Sequence, residues 1–254
     1  MSNLYTHKYL IHLSYLGTNF SGWQIQDNTP TIQGIIMECL NNLLDFSIPL
    51  IVGAGRTDTG VHAVNYFAHF DSFELNLLDL KFKMNRFLPA DIVIHNITLI
   101  NSNFHARYSA LSRKYEYWIS TKKDPFLINR SYLLHKELDF KLMNTGAKML
   151  IGNKNFSSFS KSKLNNNICI VESAYWFKSK DMLIFSIEAN RFLHNMVRSI
   201  VGTLINLGEN KINLEELSHI IDSEDRTNAG YSVPACGLYL LNIKYPKIFN
   251  LESI

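Results

Sequence analysis

Two stretches near the start decide how this chain folds: Tyr9-Leu10-Ile11-His12-Leu13-Ser14-Tyr15 and Thr31-Ile32-Gln33-Gly34-Ile35-Ile36-Met37-Glu38-Cys39-Leu40-Asn41-Asn42-Leu43-Leu44. In the first, Tyr9, Ile11, Leu13 and Tyr15 fall on one face and Leu10, His12 and Ser14 on the other, the period-two pattern of a strand. In the second, Ile32, Ile35, Ile36, Cys39, Leu40, Leu43 and Leu44 recur at i, i+3, i+4 and i+7, the pattern of an amphipathic helix, which Thr29-Pro30 introduces. The change of period within 36 residues marks an α+β chain. Outward from there, β-rich runs at 48–52 and 64–70 precede a helix at 77–87 and a strand at 92–99. The order then recurs without any repeat of sequence. A strand at 113–119 leads to a helix at 139–151, which Asp139 can cap and Gly152 can end. Strands at 170–177 and 182–188 follow, then a long helix at 190–207 ending before Gly208. A short helix at 214–222 has Asn213 and Glu216 at capping-box spacing, and a strand at 237–245 closes the chain.

Each half reads β-α-β-β-α-β, the ferredoxin-like order. The expected fold is therefore two pseudo-symmetric ferredoxin-like halves, residues 1–105 and 106–254, forming an extended antiparallel sheet with a central catalytic cleft. Lys161–Asn167 is polar and aperiodic and is expected to be a mobile loop.

Composition narrows the class. The 254 residues carry 25 basic and 22 acidic side chains and are 46% hydrophobic, which excludes intrinsic disorder because apolar burial can offset chain entropy. No apolar run approaches the ~18 residues of a membrane span. Residues 1–16 lack a basic cluster followed by an apolar core, so the chain is expected to be soluble and cytoplasmic. Three cysteines, Cys39, Cys169 and Cys236, without C-x-x-C spacing read as reduced thiols. A net charge of +3 permits an acidic partner without demanding one.

The segment that carries chemistry is Gly53-Ala54-Gly55-Arg56-Thr57-Asp58-Thr59-Gly60-Val61-His62. It is neither a P-loop, for want of G-x-x-x-x-G-K-[ST], nor a dinucleotide fingerprint, for want of the third glycine. What it offers is one carboxylate, Asp58, with Arg56 two residues away. An isolated Asp in a glycine-bounded loop is usually a turn-former.

This string is not isolated. With Ala63 it resembles the G-R-T-D-x-G-V-H-A loop of the TruA family of tRNA pseudouridine synthases, and six more motifs of that family lie in order along the chain, two before it and four after. Gly17-Thr18-Asn19-Phe20-Ser21-Gly22-Trp23-Gln24 resembles G-x-x-[FY]-x-G-W-Q, and Thr31-Ile32-Gln33-Gly34 its helix start. Asn85 with Leu88-Pro89-Ala90-Asp91-Ile92 resembles N-x-x-L-P-x-D-I. Phe104-His105-Ala106-Arg107, Ser109-Ala110 and Arg113-Lys114-Tyr115-Glu116-Tyr117 resemble F-H-A-R-x-S-A followed by R-x-Y-x-Y. Phe192 to Arg198 with Ile200-Val201-Gly202, and Gly237-Leu238-Tyr239-Leu240, supply the last two. In one departure, Leu16 stands where the family often has Asp before the glycine, which removes any polar side-chain contact from that position.

The resemblance implies an isomerase that converts uridine to pseudouridine at positions 38–40 of the tRNA anticodon stem-loop. It implies no metal, nucleotide or organic cofactor, and a homodimer engaging tRNA. Asp58 would be the catalytic carboxylate, attacking C1′ or removing a proton. Arg198 would reach Asp58 across the cleft and keep it ionised and aimed, against the plainer reading of a polar helix stripe (Arg191, Asn195, Arg198, Gly202). Tyr115 would stack on the target base, whereas Tyr117 and Ile119 read as core. Arg56 would hold a phosphate or prop open the space left by the flipped base, and Arg107 would bind substrate. Together with Arg113, Lys114, Lys122, Lys123, Lys161 and Lys163 it could line a phosphate groove. His62 and His105 read as structural hydrogen-bonding groups, not metal ligands. Two rival readings remain at this point: a synthase of this family with another RNA target, and a non-catalytic RNA-binding or RNA-folding protein on the same scaffold.

Overall fold

The computed structural model describes residues 6–44, 46–48, 50–161 and 166–251. The chain is mixed α+β, its strand pairs mostly antiparallel. It forms two compact units, one holding the described residues up to Leu111 together with those from Leu240 onward, the other Ser112–Tyr239. The first unit runs β1 (His7–Tyr15), α1 (Ile32–Leu43), β2 (Val52–Gly53), β3 (His62–Ser72), α2 (Leu77–Phe87) and β4 (Ile92–Ile100). The second runs β5 (Ser112–Ser120), β6 (Tyr132–Leu133), α3 (Phe140–Lys148), β7 (Gly152–Asn155), β8 (Ile168–Ser179), β9 (Met182–Ala189), α4 (Met196–Gly208) and α5 (Leu214–Asp222). The strand β10 (Leu238–Lys244) closes the order. Residues 162–165, including Lys163 and most of the expected mobile loop, lie outside the described residues, as does residue 49 of the 48–52 run.

In the first unit β1 lies between β3 and β4 and is antiparallel to both. Both faces of β1 are covered: Tyr9, Ile11, Leu13 and Tyr15 are all 3% exposed or less, and Leu10 and His12 of the other face are buried too. Thr31 caps α1 by accepting the Gly34 N–H at 3.2 Å. Asn76 caps α2, which packs on β4 and on α1 and ends where Leu88 precedes Pro89, a position that disfavours helical backbone. The 48–52 run is shorter as a strand than its composition suggests, because only Val52 and Gly53 find a partner, on β3.

In the second unit β9 lies between β5 and β8, antiparallel to both, and β7 adds beyond β8. Asp139 caps α3 as expected, but the helix stops at Lys148, and Gly152 opens β7 instead of closing the helix. At α5 the capping box is complete, with Asn213 Oδ1 accepting from Glu216 N at 2.9 Å and Asn213 N donating to Glu216 Oε2 at 2.8 Å. The long helix is the larger correction, since it starts at Met196 and not at 190. Asn190 still belongs to the sheet: its N–H donates to Ile170 O at 3.1 Å and its Oδ1 accepts from Ile170 N at 2.9 Å. Asn195, with φ of 65°, then takes a left-handed conformation that no right-handed helix continues through. The stripe Arg191–Asn195–Arg198–Gly202 is therefore not a solvated helix face: Asn195 and Gly202 are buried, and only Arg198 and Asn206 of α4 are half-exposed. All three cysteines are free thiols.

His69 on β3 is buried, and its Nδ1 accepts the Ala106 N–H at 3.1 Å, which holds the ring neutral. Burial, then the charges of Lys8 and His105, bring its pKa down from 6.5 to about 4. The unfolded chain takes up this proton first, so its contribution to stability is lost as pH falls from about 6.5 towards 4. Urea midpoints are expected to drop between pH 7 and pH 5. The drop should be shallower in His69→Gln, where only groups such as His95 and His105, also lowered by burial, still contribute.

Candidate active site

The Gly53–His62 segment leaves β2 and runs back beside β3. Ala54 N donates to Phe67 O at 2.9 Å, and the Tyr66 hydroxyl donates to the Gly55 carbonyl. Arg56 then projects into solvent, Thr57 turns inward at 7% exposure, and Asp58 is half-exposed. A turn follows, closed by Val61 N on Asp58 O at 3.1 Å.

The residues either side of the carboxylate are anchored by the Gly17–Gln24 segment. Trp23 N donates to Thr57 O at 3.2 Å, and Gly60 N to Phe20 O at 3.4 Å. Thr57 Oγ1 is 2.9 Å from the Tyr15 hydroxyl in a buried pair. Gly22, at φ of 85°, brings its backbone against the Thr57 carbonyl, where a Cβ would overlap that oxygen. Beneath the loop Trp23 packs on Tyr66 with centroids 4.3 Å apart, and Tyr15 meets Tyr66 edge-on at 5.5 Å. Gln33 ties the two segments together, accepting from Ile25 N at 2.9 Å and donating to Ile51 O at 2.7 Å. A half-exposed carboxylate on a turn held this tightly suits nucleophilic or general-base work, where aim matters more than mobility.

His62 and His105 both serve as hydrogen-bond acceptors. His62 Nδ1 accepts Gly17 N–H at 2.9 Å, and His105 Nδ1 accepts the N–H groups of Arg107 and Tyr108 at 3.2 Å each. Among the described residues no cluster of three or more metal-ligating side chains occurs. Leu16 contributes through its main chain, its N–H donating to Asp91 O at 2.9 Å.

In the second unit Tyr115 on β5 is half-buried and meets Phe192 edge-on at 5.1 Å, while Tyr117 is fully buried and donates to Pro234 O at 2.7 Å. Burial drives the Tyr117 pKa far above that of an ordinary phenol. Arg198 is half-exposed at the start of α4. Its Nε donates to Val233 O at 2.8 Å, while Val233 N donates to Arg198 O at 3.3 Å. That pairing rests on close backbone approach: Gly202 meets the Tyr231 carbonyl, where any Cβ would overlap it, and Gly230 N donates to Thr203 Oγ1 at 2.8 Å. Asn195 adds bonds to Ser199 and Ser232.

In the first unit Arg56 lies two residues before Asp58, and Arg107 adjoins the His105 ring. The His105 ring next to Arg107 lies 5.0 Å from His69, seven residues along β3 from His62, roughly 23 Å of strand. Of the basic cluster, Arg113 donates to Asn190 O at 2.9 Å and Lys122 pairs with Asp181 at 2.9 Å, so both are engaged within the second unit. Tyr15, Gln33 and Tyr66 are site-building residues that reading the chain segment by segment did not single out.

A family model described as tRNA pseudouridine synthase matches residues 147–246. Curated relatives match almost the whole length. A "tRNA pseudouridine synthase A" of Parabacteroides distasonis is 44% identical over 97% of this chain and 99% of its own. Those of Bacteroides thetaiotaomicron and of a Thermoanaerobacter strain are 40% and 39% identical, over 97% and 93% of this chain and 94% and 98% of theirs.

Tyr15→Phe and Thr57→Val each break the buried Tyr15–Thr57 hydroxyl pair. Each variant is expected to lose about 1 kcal/mol of unfolding free energy in urea titration. The double variant should lose less than the sum of the two, because the shared hydrogen bond can be broken only once.

Proposed function

Because the chain belongs to the TruA family of tRNA pseudouridine synthases, we propose that it isomerises uridines at positions 38–40 of the anticodon stem-loop through Asp58. The observation that carries this reading is the half-exposed Asp58 on a turn held from Trp23, Tyr15 and Phe20, at the position of the family's catalytic aspartate. In the reaction the C1′–N1 bond of the uridine breaks, the base rotates, C1′ bonds to C5, the hydrogen at C5 leaves as a proton, and N1 takes up a proton. Asp58 either forms a covalent bond to C1′ or removes a proton from the ribose, and both routes need an ionised carboxylate with little freedom.

The other roles are those that membership of the family implies for the matching residues. Arg198, fixed at Nε by the Val233 carbonyl, keeps Asp58 ionised and aimed. Tyr115, braced by Phe192, stacks on the uracil once it has left its helical stack, a step that costs the RNA a few kcal/mol. Arg56, exposed beside the carboxylate, contacts the RNA at the flipped nucleotide, and Arg107 binds the same RNA further away. Each half is ferredoxin-like. The enzyme works without cofactor, in the cytoplasm and as a homodimer on tRNA. No helix among the described residues is long and apolar enough to cross a membrane.

Tritium release from tRNA labelled at uracil C5 tests the reading. Wild type should release label, and Asp58→Asn should not while keeping its fold. Tight tRNA binding without release by either protein would favour a binding-only role or a different RNA target. Arg198→Met is expected to lower kcat by about 100-fold or more, with tRNA affinity changed by less than about threefold. Equal losses in both would break the proposed Arg198–Asp58 partnership.

A further inference from the structure

The segment after β4 holds an aromatic ring in a way that simple surface exposure does not account for. Tyr108 is 77% exposed, yet it is fixed. Its N–H donates to His105 Nδ1 at 3.2 Å, and its ring lies against the His105 ring with centroids 4.3 Å apart. His105 is itself held, its N–H donating to Ser109 Oγ at 3.0 Å and its ring meeting His69 of β3 at 5.0 Å. His69 closes the chain of contacts by accepting the Ala106 N–H. The Arg107 guanidinium sits 5.7 Å from the Tyr108 ring centre. The result is an aromatic ring packed against an imidazole, with the Arg107 cation over it and most of its surface in water.

We infer that Tyr108 and Arg107 form a second RNA-contact point, at which the Tyr108 ring stacks on an unpaired nucleobase of the substrate and Arg107 takes the neighbouring phosphate. Stacking on a pre-set ring is how proteins bind unpaired bases, and a cation beside the ring adds backbone affinity at little ordering cost. The platform adjoins His69, seven residues along β3 from His62, where the Asp58 loop rejoins the strand, roughly 23 Å of strand. It therefore acts on affinity for the RNA and not on bond-making. The inference rests on the tRNA reading above, and its test is a binding measurement, so a failure of catalysis would not be mistaken for a failure of the platform.

Tyr108→Ala is expected to raise the Kd for tRNA by about 5- to 150-fold and to leave kcat at saturating tRNA unchanged. Tyr108→Phe should bind within twofold of wild type, and Tyr108→Leu should behave like the alanine variant, since stacking needs a π-face and not merely apolar bulk. Tyr108→Trp supplies a direct readout, because its fluorescence should be quenched on saturation with tRNA beyond any change seen in wild type. Matching thermal midpoints confirm that the fold is intact. An alanine variant that binds tRNA within twofold of wild type, or a Tyr108→Trp signal that tRNA does not alter, would overturn the inference and leave the exposed ring to a protein contact.

Discussion

The site in the first unit depends on one constraint, the close approach of the Gly22 backbone to the Thr57 carbonyl. It allows the Trp23 N–H to reach that same oxygen, and the Thr57 side chain to turn inward to the Tyr15 hydroxyl. With residue 57 pinned through both main chain and side chain, its neighbours at 56 and 58 must point outward. The exposure of Arg56 and the half-exposure of Asp58 follow from the anchoring of the residue between them. A glycine is required at 22 because the backbone is left-handed there and no Cβ fits.

The surrounding elements serve that constraint. Gln33, in the first turn of α1, spans from the Ile25 amide to the Ile51 carbonyl, so the helix start sets the spacing between the anchoring segment and the strand that feeds the loop. The Tyr15–Trp23–Tyr66 cluster fills the space beneath, and the Tyr66 hydroxyl ends on Gly55. In the second unit the same device recurs in different residues. Gly202 and Gly230 allow the 229–233 segment to lie against α4, and the Val233 carbonyl then fixes the Arg198 guanidinium. Both units thus hold a charged group by bringing backbone to backbone, which costs less side-chain entropy than a network of long polar side chains.

The basic residues sort by environment and not by their closeness in sequence. Arg113 and Lys122 are engaged with Asn190 and Asp181, whereas Arg107 stands beside an exposed ring. Charge counting along the chain treats these residues alike. Only their surroundings separate them.

Hydrophobic period and cap chemistry are local properties, and they determined most of the elements. The 77–87 and 214–222 helices fall where the pattern places them, and the Asn213–Glu216 box closes as its spacing requires. The ordered motifs likewise determined the family and pointed to Asp58. Local pattern failed where a distant partner overrode it. Residues 190–195 carry helical spacing, but Asn190 is committed to Ile170 across the sheet, and Asn195 must turn left-handed before α4 can start. Tyr115 and Tyr117 share one strand face, yet one is half-buried and the other sealed, because what covers a strand face comes from elsewhere in the chain. Tertiary structure alone decided that Tyr15, Gln33 and Tyr66 build the carboxylate's support and that the Arg107 guanidinium lies over the Tyr108 ring. Hydrogen bonds between residues tens of positions apart leave no periodic trace in a sequence, since either partner looks like ordinary core when read by itself.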